Sequence, residues 1–288
     1  MSLKIVAVGS NALIAEEVKN AVKLIIGEAA EIITRTTASV KNDKEGDLYV
    51  CAITQQKPLE RYVKKEKISI LDLRPTVQFF VQVSRIPAGE KVYIFNSNIH
   101  YAQLLKQLCE TLKIKDVDFI TIAYEDMPEE EVIEKLNKAK YIIGVGKLVE
   151  KEVLLSEQYI RYLHKDVKII GDTRMATMQS ACMLMQRVTE LVHQITSKKI
   201  AVLATQMKDF SPSETLATDY KSTALEIEKL VSESNESILS IKENIMKSFA
   251  AQLSGNLVVD KEQQKSEESQ NQTEMISVLE RINGLKRE

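Results

Sequence analysis

The sequence predicts an α/β protein made of two Rossmann-like lobes with parallel sheets and a central cleft, followed by a long helical region. Short apolar runs of strand length alternate with amphipathic segments of helical period. Eight such runs precede residue 175, which is typical of parallel sheets covered by helices on both faces. Aromatic residues make up only 5% of the 288 residues, as is ordinary for a core of Ile, Val and Leu.

The predicted strands and helices alternate in order along the chain. The strands are at residues 4–9, 31–34, 48–53, 68–73, 92–95, 117–123, 141–145 and 167–170. The helices are at residues 12–26, 58–65, 77–83, 101–112 and 129–139, and a helical region runs from 146 to about 163. Eight strands are also enough for a barrel, but the set divides into two groups around Arg74. We expect the last strand to rejoin the first group, so that residues 1–76 and 167–190 form lobe one and residues 77–166 form lobe two.

The chain changes character after Arg174. A long amphipathic helix is predicted from residue 178, and Ser211-Pro212 then breaks the chain. A second helix carries two rows at heptad spacing, and residues 191–255 are therefore predicted as a helical, coiled-coil region through which a homodimer forms. The rows are Tyr220, Ile227, Ser234 and Ile241, and Ala224, Val231, Ile238 and Ile245.

Two alternatives explain the same heptad pattern. The second helix can pack on its own domain, or pair in antiparallel fashion with the helix at 178–195 within one chain. Residues 256–274 are rich in Gln, Glu and Ser and are predicted as a disordered linker. Residues 275–288 are predicted to hold a terminal amphipathic helix.

Composition argues against several classes of protein. The net charge of −2 lacks the basic field of a general nucleic-acid binder. No apolar stretch approaches the roughly 20 residues of a membrane span, and no signal peptide is visible, so we expect a cytoplasmic protein with no membrane partner. Cys51, Cys109 and Cys182 lie far apart in apolar contexts, which favours buried free thiols.

The candidate ligand-binding residues share one position: each lies where a predicted strand ends and a helix begins. Backbone N–H groups and the positive end of the helix dipole suit anions there. The alternative is that these polar residues cap helices, and that Arg74 pairs with Asp72 and Arg174 with Asp172. The candidates are Ser10, Asn11, Thr54, Gln55, Arg74, Thr76, Asn96, Ser97, Gly146, Lys147, Thr173 and Arg174.

No catalytic, metal or cofactor constellation is predicted. The sequence lacks a P-loop, a GxSxG elbow and an HExxH pair, and His100, His164 and His193 are isolated. Gly144-Val145-Gly146 is half of a dinucleotide fingerprint, but its third glycine is missing.

The order of these segments resembles the N-terminal sensory domain of propionate-catabolism-type sigma-54 activators. The resemblance covers roughly residues 4–191 and rests on an Arg74-containing crossover, then GVGKLV, then a strand ending GDTR and a long helix. It implies two α/β lobes and a small-molecule effector, often an organic acid. By position, Arg74, Thr76, Gly146, Lys147, Thr173 and Arg174 would contribute to its site. The ATPase and DNA-binding domains of those activators are absent from this sequence.

These observations predict a signal-sensing regulatory protein. It would bind a small anionic metabolite between its lobes and relay the signal through C-terminal helices to its dimer mate or to a downstream signalling protein. One alternative is a two-lobed Rossmann-type enzyme acting on a small acid or nucleotide-linked substrate. Another is a scaffold whose α/β part positions the coiled coil.

Overall fold

The computed structural model describes residues 3–42, 44–208 and 216–254. The chain divides into two compact units. Unit 1 contains the described residues up to Asp72 and from Ala176 onward, and unit 2 contains Leu73–Met175. The predicted break at 211–212, the linker at 256–274 and the terminal helix at 275–288 lie outside the described residues.

Unit 1 contains a four-stranded parallel sheet in the order β2-β1-β3-β4. Every residue of β3 is buried, as expected for a strand with helices on both faces. The elements are β1 (Lys4–Gly9), α1 (Ala12–Ile26), β2 (Glu31–Thr36), β3 (Leu48–Ala52), α2 (Gln56–Leu59) and β4 (Ile68–Leu71).

The local sequence sets both ends of α1. The Asn11 side chain caps the helix by accepting a hydrogen bond from the Ile14 N–H at 3.1 Å. At the other end Gly27 adopts φ 59°, and its N–H donates to the Lys23 carbonyl at 2.8 Å. Gly9, at the end of β1, allows α1 to pack close to the strand. A Cβ at this position would lie 2.6 Å from the Ile14 carbonyl carbon and would overlap the Ala15 backbone nitrogen.

Unit 2 repeats the strand order of unit 1. Its parallel sheet has the order β7-β6-β8-β9, and two short strands, β5 and β10, pair separately. The elements are β5 (Leu73–Pro75), α3 (Val77–Ser84), β6 (Lys91–Asn96), α4 (Ile99–Thr111), β7 (Asp118–Ala123), α5 (Glu129–Lys138), β8 (Tyr141–Val145), β9 (Lys168–Asp172) and β10 (Arg174–Ala176), whose last residue belongs to unit 1.

Two predictions within this region were wrong. The last strand does not rejoin the first group, because β9 pairs with β8 and its Ile170 packs against the core of unit 2. Residues 146–163 do not form one helix but two 3₁₀ turns, Gly146–Val149 and Ile160–Tyr162. Glu150 has extended backbone angles, which end the first turn.

Two long helices, α6 (Met178–Lys208) and α7 (Leu216–Ser254), complete unit 1. The two helices run antiparallel. Ile195 of α6 lies near Ser234 of α7, whereas Val202, further along α6, lies near Glu226, which comes earlier in α7. Both helices also contact α1. Ile241 and Ile245, one from each predicted heptad row, are buried.

This packing corresponds to the intrachain alternatives for the heptad pattern. The two rows are not buried evenly, since Ala224 and Val231 stay exposed while Ile238 is half-buried. The coiled-coil dimer stays a prediction.

Cys51 and Cys109 are buried and Cys182 is half-buried. Burial raises the pKa of the Cys51 and Cys109 thiols to about 12, with smaller contributions from Glu60 and Glu110 respectively. Both thiols therefore stay protonated at neutral pH.

None of the helices among the described residues is long and apolar enough to cross a bilayer.

Replacing Gly9 by Ala should destabilise unit 1 by about 3 kcal/mol or more, because the obstacle is backbone that cannot rotate away. Urea denaturation followed by circular dichroism measures the loss. Gly89→Ala is the control, since nothing lies within 4 Å of its Cβ position and only its φ of 82° opposes the change. Equal losses in the two variants would contradict the close approach of α1 to β1.

Replacing Ile241 by Ala should cost about 3 kcal/mol, because its side chain is 0% exposed in unit 1. Leu239→Ala, on the same helix but 55% exposed, should cost less than about 1 kcal/mol. The loss should not depend on protein concentration if α7 packs within its own chain. A loss that grows on dilution would instead place Ile241 in a dimer interface.

Candidate functional site

Four strand ends of unit 2 form one row across the sheet. Asn96 is in register with Ala123, and Val145 is in register with Asp172. Phe95 is in register with Gly144, so the next residues, Asn96 and Val145, are also level. Side chains at the same level point to the same face of a parallel sheet. This row is called the strand-end row below.

The strand-end row faces α3 and α4. Ile94 lies two residues before Asn96 and Ile143 two residues before Val145, so both share the face of the strand-end row. Both pack into a core cluster with Phe79 and Tyr101. Phe79 belongs to α3 and Tyr101 to the first turn of α4. Because side chains alternate along a strand, Asn96 and Asp172 project toward these two helices.

Asn96 has an unsatisfied donor at one end of the row. Its side chain is 2% exposed, and its Oδ1 accepts a 3.4 Å hydrogen bond from the Asn98 N–H, which fixes the orientation of the amide. Its Nδ2 has no hydrogen-bond partner among the residues that the structure describes. A buried donor left unpaired costs roughly 1–3 kcal/mol, so such groups mark places where an acceptor binds. Ser97 is buried beside it.

The protein's own side chains already bind two backbone amides at the start of α4. Asn98 Oδ1 accepts from the Tyr101 N–H at 3.0 Å. Asp126 Oδ2 accepts from the Ile99 N–H at 2.7 Å. An outside anion therefore cannot use either amide, although the sequence predicted an anion site at this kind of position.

Asp172 occupies the other end of the row. Its Oδ2 accepts hydrogen bonds from both the N–H of Thr76, at 3.1 Å, and the Thr76 hydroxyl. Thr76 is the residue before α3, so an internal carboxylate also sits at the start of this helix. Both hydrogen bonds come from Thr76 and reach the same carboxylate oxygen.

Arg174 adds a buried positive charge on the same face. It is 8% exposed, and its Cζ lies 4.5 Å from the centroid of the Tyr101 ring, a cation–π contact. Since Tyr101 packs with Ile94 and Val145, this contact brings the guanidinium to the side of the sheet that carries the strand-end row.

The glycines of the half fingerprint have a packing role. A Cβ at Gly144 would lie 2.8 Å from the Phe95 carbonyl oxygen and would overlap the Val149 side chain. Gly146 adopts φ 55°, which only glycine reaches without strain. Lys147 forms an exposed ion pair with Glu152 at 3.2 Å.

One predicted residue of unit 1, Gln55, takes part in a polar link between strand ends. The Thr37 hydroxyl lies 3.1 Å from the Gly9 carbonyl oxygen and 2.7 Å from Gln55 Oε1, linking the ends of β1, β2 and β3. Ser10 and Thr54 flank this link in the chain. Asn11 serves as the cap of α1, as the capping alternative predicted.

An aromatic cluster lies under the opposite face of β6. Phe95 stacks on Tyr124 at 5.1 Å and contacts Tyr159 edge-on at 5.9 Å. Burial raises the pKa of both tyrosines, with Glu125 adding to the effect on Tyr124 and Glu129 on Tyr159. Both phenols are therefore neutral at pH 7, and neither supplies a base.

The structure brings Thr76, Asn96, Ser97 and Arg174 to one edge of unit 2. Thr173 and Arg74 are exposed, and Ser10, Asn11, Thr54 and Gln55 belong to unit 1. From the sequence, Asp172 was predicted only as an alternative partner for Arg174, and Tyr101 and Asp126 were not among the candidate residues. Asp172 lies in the same strand-to-strand turn as Thr173 and Arg174, and this position was the available signal for including it. The cleft between lobes stays a prediction.

No family model, curated protein or solved structure matches this chain. The resemblance to sigma-54 sensory domains stays a prediction.

Replacing Thr76 by Val should destabilise unit 2 by about 1–2 kcal/mol, because it removes the hydroxyl donor to Asp172 while keeping the shape of the side chain. Urea denaturation followed by circular dichroism measures the change. Thr173→Val, at an exposed position in the neighbouring strand turn, should change stability by less than about 0.5 kcal/mol. Similar effects at both positions would mean that the Thr76–Asp172 bond contributes no net stability.

Proposed function

We propose that this chain is a ligand-sensing regulatory protein, and that the strand-end row of unit 2 binds a small metabolite carrying a carboxylate. The observation that carries the proposal is the buried, unpaired Nδ2 of Asn96. A fold that leaves this donor without an acceptor gives up stability that a bound acceptor returns. The placement at the carboxyl ends of parallel strands is where open α/β sheets bind ligands.

The strand order supports the same position. The chain leaves β6 toward β7 on one side and leaves β8 toward β9 on the other, so the connections diverge between β6 and β8. This divergence is the switch point at which a crevice forms outside the strand ends. Asn96 and Val145 end these two strands.

The positive charge of Arg174 favours a negatively charged ligand in the proposed site. A guanidinium that is buried against an aromatic ring keeps a strong electrostatic effect, because little water screens it. A carboxylate accepting from Asn96 lies on the face of the sheet over which this charge acts. The start of α4 adds little, since Asn98 and Asp126 already bind its amides.

The relay proceeds along the chain from β10 to α6. Only Thr177 separates them, and Thr177 is anchored in unit 1 by its N–H, which donates to the Asp72 carbonyl at 2.9 Å. Arg174, which contributes to the site, thus lies four residues before the start of a continuous 31-residue helix. A ligand that shifts β10 would bias the packing of α6, and the dimer mate or a downstream protein would receive the signal there.

Native mass spectrometry of freshly purified protein tests the proposal, with the denatured mass as the control. We expect an additional non-covalent mass of a few hundred daltons or less, in a species that also reports the oligomeric state. A panel of carboxylic acids in a thermal-shift assay then identifies ligands that raise the melting temperature.

Asn96→Leu separates binding from folding. Leucine has a similar shape and no donor, so the ligand-free variant should be at least as stable as the parent, while the ligand-induced shift disappears. Ser10→Ala, at the corresponding strand end of unit 1, should keep the shift. An empty protein that no acid in the panel stabilises would overturn the proposal.

A further inference from the structure

The two ends of the strand-end row have opposite chemistry. Asn96 offers a buried N–H donor at one end, and Asp172 offers a carboxylate oxygen at the other. A simple organic acid would satisfy the first and be repelled by the second. Building on the proposed function, we infer that the ligand is an α-amino acid, whose carboxylate binds at Asn96 and whose ammonium binds at Asp172.

The ammonium position is defined by the unused oxygen of Asp172. The carboxylate is held by Thr76 through Oδ2 alone, so its orientation is fixed before any ligand arrives. Oδ1 is then available to a donor, and a charged N–H donor gives the stronger hydrogen bond. A neutral hydroxyl at the same place binds more weakly, and a second carboxylate is repelled.

The carboxylate position is defined by Asn96 and Arg174. The Asn96 amide is oriented by the Asn98 N–H, which leaves Nδ2 as the donor that faces α3 and α4. Arg174 places its charge against Tyr101 on this side of the sheet. Since Arg174 and Asp172 are two residues apart in the chain, one short segment supplies charge for both ends of the ligand.

The spacing fits an α-amino acid. Asn96 and Asp172 are separated by one strand, β8, so their backbones lie about 10 Å apart. Two hydrogen bonds of about 2.9 Å and an internal oxygen-to-nitrogen distance of about 3 Å together span about 9 Å. Val145 lies between the two polar ends in the row and packs in the core cluster with Tyr101.

Calorimetric titration of the full chain tests the inference with three matched probe sets. The first set is the proteinogenic L-amino acids, the second their α-hydroxy acids, and the third the corresponding amines without the carboxylate. At least one amino acid should bind, and its α-hydroxy acid and its amine should each bind at least about tenfold more weakly.

Asp172→Asn provides the decisive variant. Asparagine keeps an oxygen for Thr76 but removes the charge, so amino-acid affinity should fall at least about tenfold while α-hydroxy-acid affinity stays within about threefold. Glu152→Gln, which removes a carboxylate paired with Lys147, is the control and should change neither affinity. Melting temperatures of the ligand-free variants show that both fold.

The possible failures are distinct. If the α-hydroxy acids bind as tightly as the amino acids, or if Asp172→Asn weakens both classes equally, this inference is wrong and the proposed carboxylate sensor stands. If no probe binds and native mass spectrometry shows no additional mass, the proposed function is wrong as well.

Discussion

Parallel strand pairing is the constraint on which the structure depends. Parallel strands need a crossover between neighbours, so helices must cover both faces of each sheet, and the strands must be apolar along their length. The same direction of travel places every strand end at one edge. Polar residues that lie far apart in the sequence, such as Asn96 and Asp172, therefore come to the same edge of one sheet.

Internal carboxylates occupy two positions at this edge of unit 2. Asp126 and Asp172 each bind a backbone N–H at or just before the start of a helix, where an unoccupied site would attract any small anion. In the proposed site, their negative charges would reduce a general preference for anions, and the Asn96 amide would supply the local donor. A folded protein that fills such sites itself gains selectivity, because the weak non-specific ligands are excluded.

The sequence predicted the eight strands of the two main sheets because each is an apolar run of limited length. It did not predict the sheet that holds β9, because periodicity describes one strand and not its neighbour. The heptad rows of α7 are the same whether Ile241 packs within the chain or across a dimer. The choice of strand ends as candidate positions stays a prediction. The Thr76–Asp172 bond joins residues 96 apart, and local patterns carry no information about such pairs.

The order of the units along the chain affects how the protein is made. Unit 2 is contained within the sequence of unit 1, between Asp72 and Ala176. On the ribosome, all strands and helices of unit 2 emerge before α6 and α7 do, and local contacts form soonest. Unit 1 must wait for these last helices, and until they arrive the surface of α1 on which α7 packs is open to water. In the nascent chain, the apolar face of α1 therefore stays exposed until the end of synthesis, although α1 is the first helix to be made.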